Sequence, residues 1–305
     1  MTLFDPDLAP AAEAGTEAGR RGADPGRRGA DPRGHGTDPA HRDSAAAVRL
    51  RLTVAYSGEG FRGFAAQPGQ RTVAGELAKA ITTVTGASVE LGCAGRTDAG
   101  VHATGQVVHV DVPPGTDADR VVRSVNAMLG PKVVIREASI VSRGFDARRS
   151  ALSRRYRYLI LEADAPDPLL APIAWLVAGP LDLRAMTAAA DALLGEHDFR
   201  AFCRRVPGTP AGTPIHRRVI DARFSRVPVP AGELGDGARL LRFDIEAVSF
   251  CHQMVRSIVG VLVDVGRGRR RVSDVTWLLG SGDRSRGGVL APPHGLCLTA
   301  VAYPS

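Results

Sequence analysis

Apolar and polar residues alternate from Val48 to Val54, so that Val48, Leu50, Leu52 and Val54 share one face of a strand predicted over Val48–Tyr56. The period then changes. Val73, Leu77, Ile81 and Val84 recur at helical spacing across Thr72–Thr85, and Gly86 stops the helix. Strands follow at Val89–Cys93 and Gly105–Val112, the second closed by Pro113-Pro114. A second helix is predicted over Asp117–Leu129, with Val121, Val125 and Leu129 inward and Gly130-Pro131 ending it. Val133–Val141 completes a β-α-β-β-α-β order, the split βαβ pattern.

The same order returns downstream. A strand at Leu152–Leu161 precedes a helix from Asp182 to Leu194, capped by Gly195. Strands at Arg217–Phe224 and Arg239–Val248 follow, then a helix over His252–Val265 with Val255, Ile258, Val259 and Leu262 as its stripe. A short helix near Ser273–Leu279 leads to a last strand at Leu296–Tyr303. The fold class is therefore α+β: two ferredoxin-like βαββαβ halves, residues 48–150 and 151–305, sharing a continuous antiparallel sheet with a central cleft. Ligands favour such clefts.

Charge changes the picture at the N-terminus. Residues 1–47 carry six Arg against eight Asp and Glu, hold few large apolar groups, and repeat imperfectly in RRGADPGRRGADPRG. Such a segment buries too little apolar surface to offset its ordering entropy, so it reads as a disordered extension. The remaining residues carry 33 basic against 24 acidic side chains, and only Lys79 and Lys132 are lysines. Arginine binds phosphate bidentately and stacks on bases, which fits a polyanionic partner, although an arginine bias also arises from base composition alone. No apolar run reaches the length of a membrane span, and the acidic start is unlike a signal peptide. Cys93, Cys203, Cys251 and Cys297 form no C-x-x-C pair and no metal-ligand spacing, so reduced thiols, a cytoplasmic setting and no metal are expected.

The candidate chemistry lies in Gly95-Arg96-Thr97-Asp98-Ala99-Gly100, a carboxylate beside a guanidinium between two glycines, entering a returning strand. Turn aspartates most often bond their own backbone. A glycine-bounded loop also lets a carboxylate press against a bulky ligand.

The surrounding words are specific. Gly95 to Val110, GRTDAGVHATGQVVHV, resembles the signature of the tRNA pseudouridine synthase A family. Tyr56-Ser57-Gly58 through Gly63-Phe64 resembles that family's opening YDG-x-x-F-x-GWQ, and Phe145-Asp146-Ala147-Arg148 with Arg155-Tyr156-Arg157-Tyr158 its F-x-AR and YRY. Asp198-Phe199 with Ala201-Phe202 resembles its DF-x-x-F, and Phe250 through Met254-Val255-Arg256 to Gly260 its F-x-x-x-MVR-x-IVG. The resemblance implies that Asp98 is the nucleophile, that Arg256 pairs with it, that Tyr156 stacks on the target base and that Arg96 holds the flipped nucleotide. It further implies action on uridines 38, 39 and 40 of the tRNA anticodon stem-loop, a homodimer, and no cofactor.

Pseudouridine formation breaks the C1′–N1 bond, turns the uracil and closes C1′–C5. A carboxylate at the sugar assists departure of the base, as in glycosidases, and must stay ionised, which an adjacent guanidinium favours. An aromatic face holds a base taken out of its stack. Tyr158 reads as a core strand residue, His102 and His109 as structural or surface groups, and His252 as equally an RNA contact or a bystander. The Arg-rich Cys203–Arg218 stretch reads as a loop reaching phosphates. Ser57, Phe64, Cys297 and Ala302 depart from the family pattern at positions that touch packing and substrate grip. A non-catalytic tRNA binder is the reading from another class; it has no need of a carboxylate facing a polyanion. A glycosidase lacks its second carboxylate.

Overall fold

The computed structural model describes residues 47–205, 208–210, 212–228 and 237–304. The first repeat comprises β1 (Val48–Tyr56), α1 (Val73–Thr85), β2 (Leu91–Cys93), β3 (His102–Val112), α2 (Ala118–Leu129) and β4 (Val133–Val141). The second contains β5 (Ser153–Glu162), β6 (Trp175–Val177), α3 (Leu183–Asp191), β7 (Gly195–Asp198), β8 (His216–Arg226), β9 (Arg239–Ala247), α4 (Met254–Gly266), α5 (Ser273–Ser281) and β10 (Leu296–Ala302). The strands run β4-β1-β3-β2 in the first repeat and β10-β5-β9-β8 in the second, the same order twice, within one ten-stranded sheet.

Local chemistry sets the helix ends. Thr72 caps α1 by accepting from the Gly75 amide, and Gly86 closes it with φ of 71°. Asp117 and Asp182 cap α2 and α3, each accepting two amides of the first turn. Leu50, Leu52 and Val54 of β1, Leu77 and Ile81 of α1, Phe243 and Ile245 of β9, and Ile258 and Leu262 of α4 are fully buried in one core. The intervening positions of the strands carry paired charge. Arg49 meets Asp111, Arg155 meets Glu246 and Arg157 meets Asp244, each directly across a strand pair. These three arginines are thus already matched, whereas Arg51, opposite His109, lies over the Tyr303 ring.

The expected sheet is realised with one difference: it is mixed. The seam between the repeats is a parallel pairing of β10 with β3, Cys297 opposite His102 and Leu298 opposite Ala103, and β6 also runs parallel to β5. A parallel seam follows from two repeats that meet through non-equivalent strands, the third of one and the last of the other. Strands β6 and β7 were not expected, being too short to show a period. Because β7 starts at Gly195, α3 ends at Asp191, before the predicted Leu194. The extension expected over residues 1–47 lies, apart from Ala47, outside the described residues. So do 206, 207 and 211 of the Cys203–Arg218 stretch, whose end from His216 forms part of β8 rather than a loop. Cys203 and Cys251, expected as separate thiols, form a disulfide with Cα atoms 5.7 Å apart, 48 residues apart in sequence. The backbone brings them together, with the Arg204 amide donating to the His252 carbonyl at 2.9 Å. Among the described residues no helix is long and apolar enough to cross a membrane.

The seam depends on Gly105. A Cβ there would lie 2.2 Å from the Thr299 carbonyl oxygen, which belongs to the partner strand's backbone and has no flexible side chain to yield. Gly105→Ala is expected to cost about 1–3 kcal/mol. Thermal unfolding reads this as a Tm lowered by roughly 2–10 °C; a Tm unchanged within about 1 °C would mean that the two strands separate freely.

Candidate active site

The loop Ala94–Val101 springs from a branch in the sheet. One edge of β3 pairs with β2 at Val108–Val110 and with β10 at His102–Ala103. Leaving β2 at Cys93, the chain must therefore turn out of the sheet before re-entering it as β3. Gln106, fully buried in the intervening stretch of β3, donates to the Gly95 carbonyl at 2.6 Å. The Ala94 amide donates to the Val107 carbonyl at 2.9 Å, and Arg154 of β5 donates to the Ala94 carbonyl through Nε and Nη2 at 3.1 and 2.9 Å.

The segment after β1 holds the far side of the loop. The Tyr56 hydroxyl and Thr97 Oγ1 share a buried hydrogen bond of 2.8 Å, and the Phe64 amide donates to the Thr97 carbonyl at 3.1 Å. A Cβ at Gly58 would lie 2.3 Å from the Val101 carbonyl oxygen, and one at Gly63, whose φ is 96°, 2.9 Å from that of Thr97. Backbone lies against backbone here, which only glycine permits. Two of the recognised motifs, Tyr56–Phe64 and Gly95–Val110, are thus halves of one scaffold. The departure at Phe64 is a core residue beside Tyr56, and Ser57 engages the Lys132 carbonyl through its amide.

Asp98 stands at the tip of this scaffold, its side chain 24% exposed. The Arg256 Nη1 donates to Oδ2 at 3.0 Å, and the His252 Nε2 lies 3.0 Å from Oδ1. Arg256 is itself fixed by donating from Nε to the Ala291 carbonyl at 2.8 Å. Burial works to raise the Asp98 pKa, whereas the hydrogen bonds and charges of His252 and Arg256 lower it, and the net result is a carboxyl below its ordinary value. Asp98 is therefore built to remain an anion in a partly dry cleft.

Tyr156 of β5 lies alongside. Its ring packs edge-on against Phe250 with centroids 5.1 Å apart, and its pKa is driven up by burial and then by the nearby Asp98 charge. Its hydroxyl would lie 3.6 Å from a Cβ at Gly95, so the ring reaches the base of the Asp98 loop. Arg96 differs: it is exposed and makes no side-chain hydrogen bond or ion pair among the described residues. The structure thus brings Asp98, Arg256 and Tyr156 together and leaves Arg96 at the rim. Tyr158 is a core residue, fully buried, donating to the Pro292 carbonyl at 2.8 Å. His102 and His109 each accept a backbone amide, from Gly58 and Ala147, and are structural.

Two residues escaped the sequence reading. His252, weighed in the sequence as equally an RNA contact or a bystander, lies before α4 and the left-handed Gln253, so helical spacing does not bring it to Arg256 and no local signal marks its contact with Asp98. Arg154 donates to the carbonyls of Ala94, Arg148 and Val248 from a nearly buried position, and burial lowers its pKa. The available signal was the alternation of β5, which sets Arg154 on the inward face with Tyr156, Tyr158 and Ile160 and the neighbouring Arg155 on the outward one. No group of three or more His, Cys, Asp and Glu among the described residues is arranged to hold a metal ion.

A family model described as tRNA pseudouridine synthase matches residues 189–304. A protein of Frankia casuarinae named tRNA pseudouridine synthase A is 44% identical over 261 residues, covering 84% of this chain and 90% of its own. Proteins of the same name from Methylobacterium sp. strain 4-46 and Caulobacter sp. strain K31 are 44% and 42% identical over 257 residues, each covering 84% of this chain and 98% of their own.

The cluster has a measurable signature. Asp98 holds a depressed pKa in the fold, so its stabilising contribution is present above its unfolded pKa and disappears as pH falls through the folded one. Arg256→Met removes a lowering contribution while keeping the aliphatic stem. The Asp98 carboxyl resonance, assigned by comparison with Asp98→Asn, then titrates at higher pH than in the unsubstituted protein. An unmoved midpoint would mean that Arg256 does not set the charge of Asp98.

Proposed function

The chain belongs to the tRNA pseudouridine synthase A family, and from that membership we propose that it isomerises uridines 38, 39 and 40 of the tRNA anticodon stem-loop, with Asp98 as nucleophile. It is a tRNA pseudouridine synthase, an isomerase. The observation that carries the site assignment is the Asp98 carboxylate bonded at both oxygens by His252 and Arg256 beside Tyr156.

The arrangement supports attack by Asp98 at C1′; assistance to loss of the C2′ proton is the alternative course. Asp98 attacks C1′ as the C1′–N1 bond breaks, forming an ester to the sugar and releasing uracil as an anion. The base turns within the site, C5 displaces the carboxylate from C1′, and the C5 proton leaves while N1 gains one. Atoms and electrons balance within the nucleotide and a proton exchanged with solvent. An ionised carboxylate is needed at the first step, and the depressed Asp98 pKa meets that need. Arg256 supplies positive charge where the carboxylate is regenerated. Tyr156 offers the aromatic face against which the extruded base stacks, worth about 1–3 kcal/mol by analogy with other base–aromatic contacts. In this reading Arg96 holds the flipped nucleotide, which its exposure and its lack of a partner among the described residues support. The active form in this reading is a cytoplasmic homodimer that binds tRNA, a part that rests on the family resemblance alone; mass measurement in solution tests it.

Asp98→Asn preserves shape and removes the nucleophilic charge. Single-turnover pseudouridine formation should fall by about 10³-fold or more, while tRNA affinity stays level or rises as an anion facing the phosphates is lost. Turnover at an ordinary rate would remove Asp98 as nucleophile. Mapping pseudouridine in treated tRNA gives the positions, and modification outside 38, 39 and 40 would overturn the anticodon assignment. Binding should weaken steeply with salt, since arginine–phosphate contacts release counterions; a flat dependence would contradict them.

A further inference from the structure

We propose that His252 is a positioning residue for the reaction: with Arg256 it clamps the Asp98 carboxylate at both oxygens, fixing its rotation and keeping it charged when RNA arrives. The inference rests on the reading of Asp98 as nucleophile and goes beyond it, because no motif assigns His252 a part in the chemistry.

The geometry is that of a two-point hold. Arg256 takes Oδ2 at 3.0 Å and His252 takes Oδ1 at 3.0 Å. One donor alone leaves a carboxylate able to rotate about its Cβ–Cγ bond, sweeping the free oxygen through the cleft. A second donor on the other oxygen removes that freedom before substrate binds, which is the contribution orientation makes to rate. The imidazole donates whenever its proton is on Nε2, whether neutral or cationic.

His252 is held as firmly as the group it holds. Its carbonyl accepts from the Arg204 amide at 2.9 Å, and the preceding Cys251 is bonded to Cys203. The residue that follows, Gln253, has φ of 66°, the left-handed region, alone among the non-glycine residues described. Its side chain is fixed by Arg284, which donates to Oε1 at 3.0 Å. Non-glycine residues persist in that region where their surroundings over-determine them. The strain falls where the chain turns from β9 into α4, and that turn aims His252 and Arg256 at one carboxylate.

Charge supplies the second half of the argument. Among the described residues, the titratable and charged groups facing Asp98 are His252 and Arg256 at the entry to α4 and Tyr156 from β5, with the exposed Arg96 on its own loop. Burial already pushes Asp98 toward its neutral acid, and an approaching phosphate backbone pushes the same way. Among the causes that hold Asp98 down, the hydrogen bond from His252 is the largest. Without it the carboxylate loses both an orienting bond and part of the field that keeps it ionised.

The test uses the full chain with His252→Phe, which keeps a ring and removes the donor, and His252→Gln, whose amide N–H restores one. Asp98→Asn serves as the reference. Each variant is checked by thermal unfolding, and His252→Asn, too short to reach Oδ1, replaces the Phe variant should that fail to fold. With tRNA saturating, His252→Phe is expected to lose about 10- to 100-fold in single-turnover rate near neutral pH, with tRNA affinity changed less than about twofold. Its acid limb, and the Asp98 carboxyl titration, should move to higher pH. His252→Gln should recover to within about fivefold of the unsubstituted rate and return both midpoints toward theirs. An unsubstituted-like rate and titration in His252→Phe overturns the clamp. So does a loss confined to tRNA affinity, which would make His252 an RNA contact. Turnover by Asp98→Asn would overturn the nucleophile reading itself, whereas an inactive Asp98→Asn with a fully active His252→Phe overturns the clamp alone.

Discussion

A carboxylate stays ionised in a partly dry cleft only while positive charge and hydrogen-bond donors reach it, and Asp98 receives both from the other repeat of the chain. Its partners His252 and Arg256 lie 154 and 158 residues away in sequence. They meet it because the β3–β10 seam fixes one repeat against the other. The rest of the structure serves that meeting. A shift of the seam by a single residue would turn the strand's inward side chains outward and carry the Asp98 loop away from α4.

The Asp98 loop is held almost entirely through backbone groups. Arg154 and Gln106 bind its carbonyls, and the segment after β1 approaches so closely that Gly58 and Gly63 are required. Backbone bonding leaves the side chains of Arg96 and Asp98 uncommitted to holding the loop. A turn aspartate that capped its own loop would have its oxygens occupied by local amides; those of Asp98 go instead to His252 and Arg256. The bland turn reading fails on that geometry.

Charge is divided with similar economy. Arg49 of β1 and Arg155 and Arg157 of β5 are matched across the sheet by Asp111, Glu246 and Asp244. Arg256 is committed to Asp98, and Arg154 to backbone carbonyls. Net charge therefore overstates what is available to an anionic ligand, and location decides which guanidinium groups meet one. Arg96 is exposed and unpaired among the described residues.

Much of this was legible without coordinates. The alternation of Val48–Val54, the helical stripes of α1, α2 and α4, and the caps at Thr72, Asp117 and Asp182 are short-range features, so periodicity and capping chemistry determined the elements and their twofold repeated order. The motif words determined the family and pointed to Asp98, Arg256 and Tyr156. Only the tertiary structure decided that the seam is parallel, that Cys203 meets Cys251, that Arg154 binds the Ala94 carbonyl, and that His252 closes on Asp98. Each of these is a pairing between residues far apart along the chain. The physical reason is common to all of them: such a pairing depends on strand register and on the angle at which α4 leaves β9, and neither leaves a mark in the local pattern of the residues it joins.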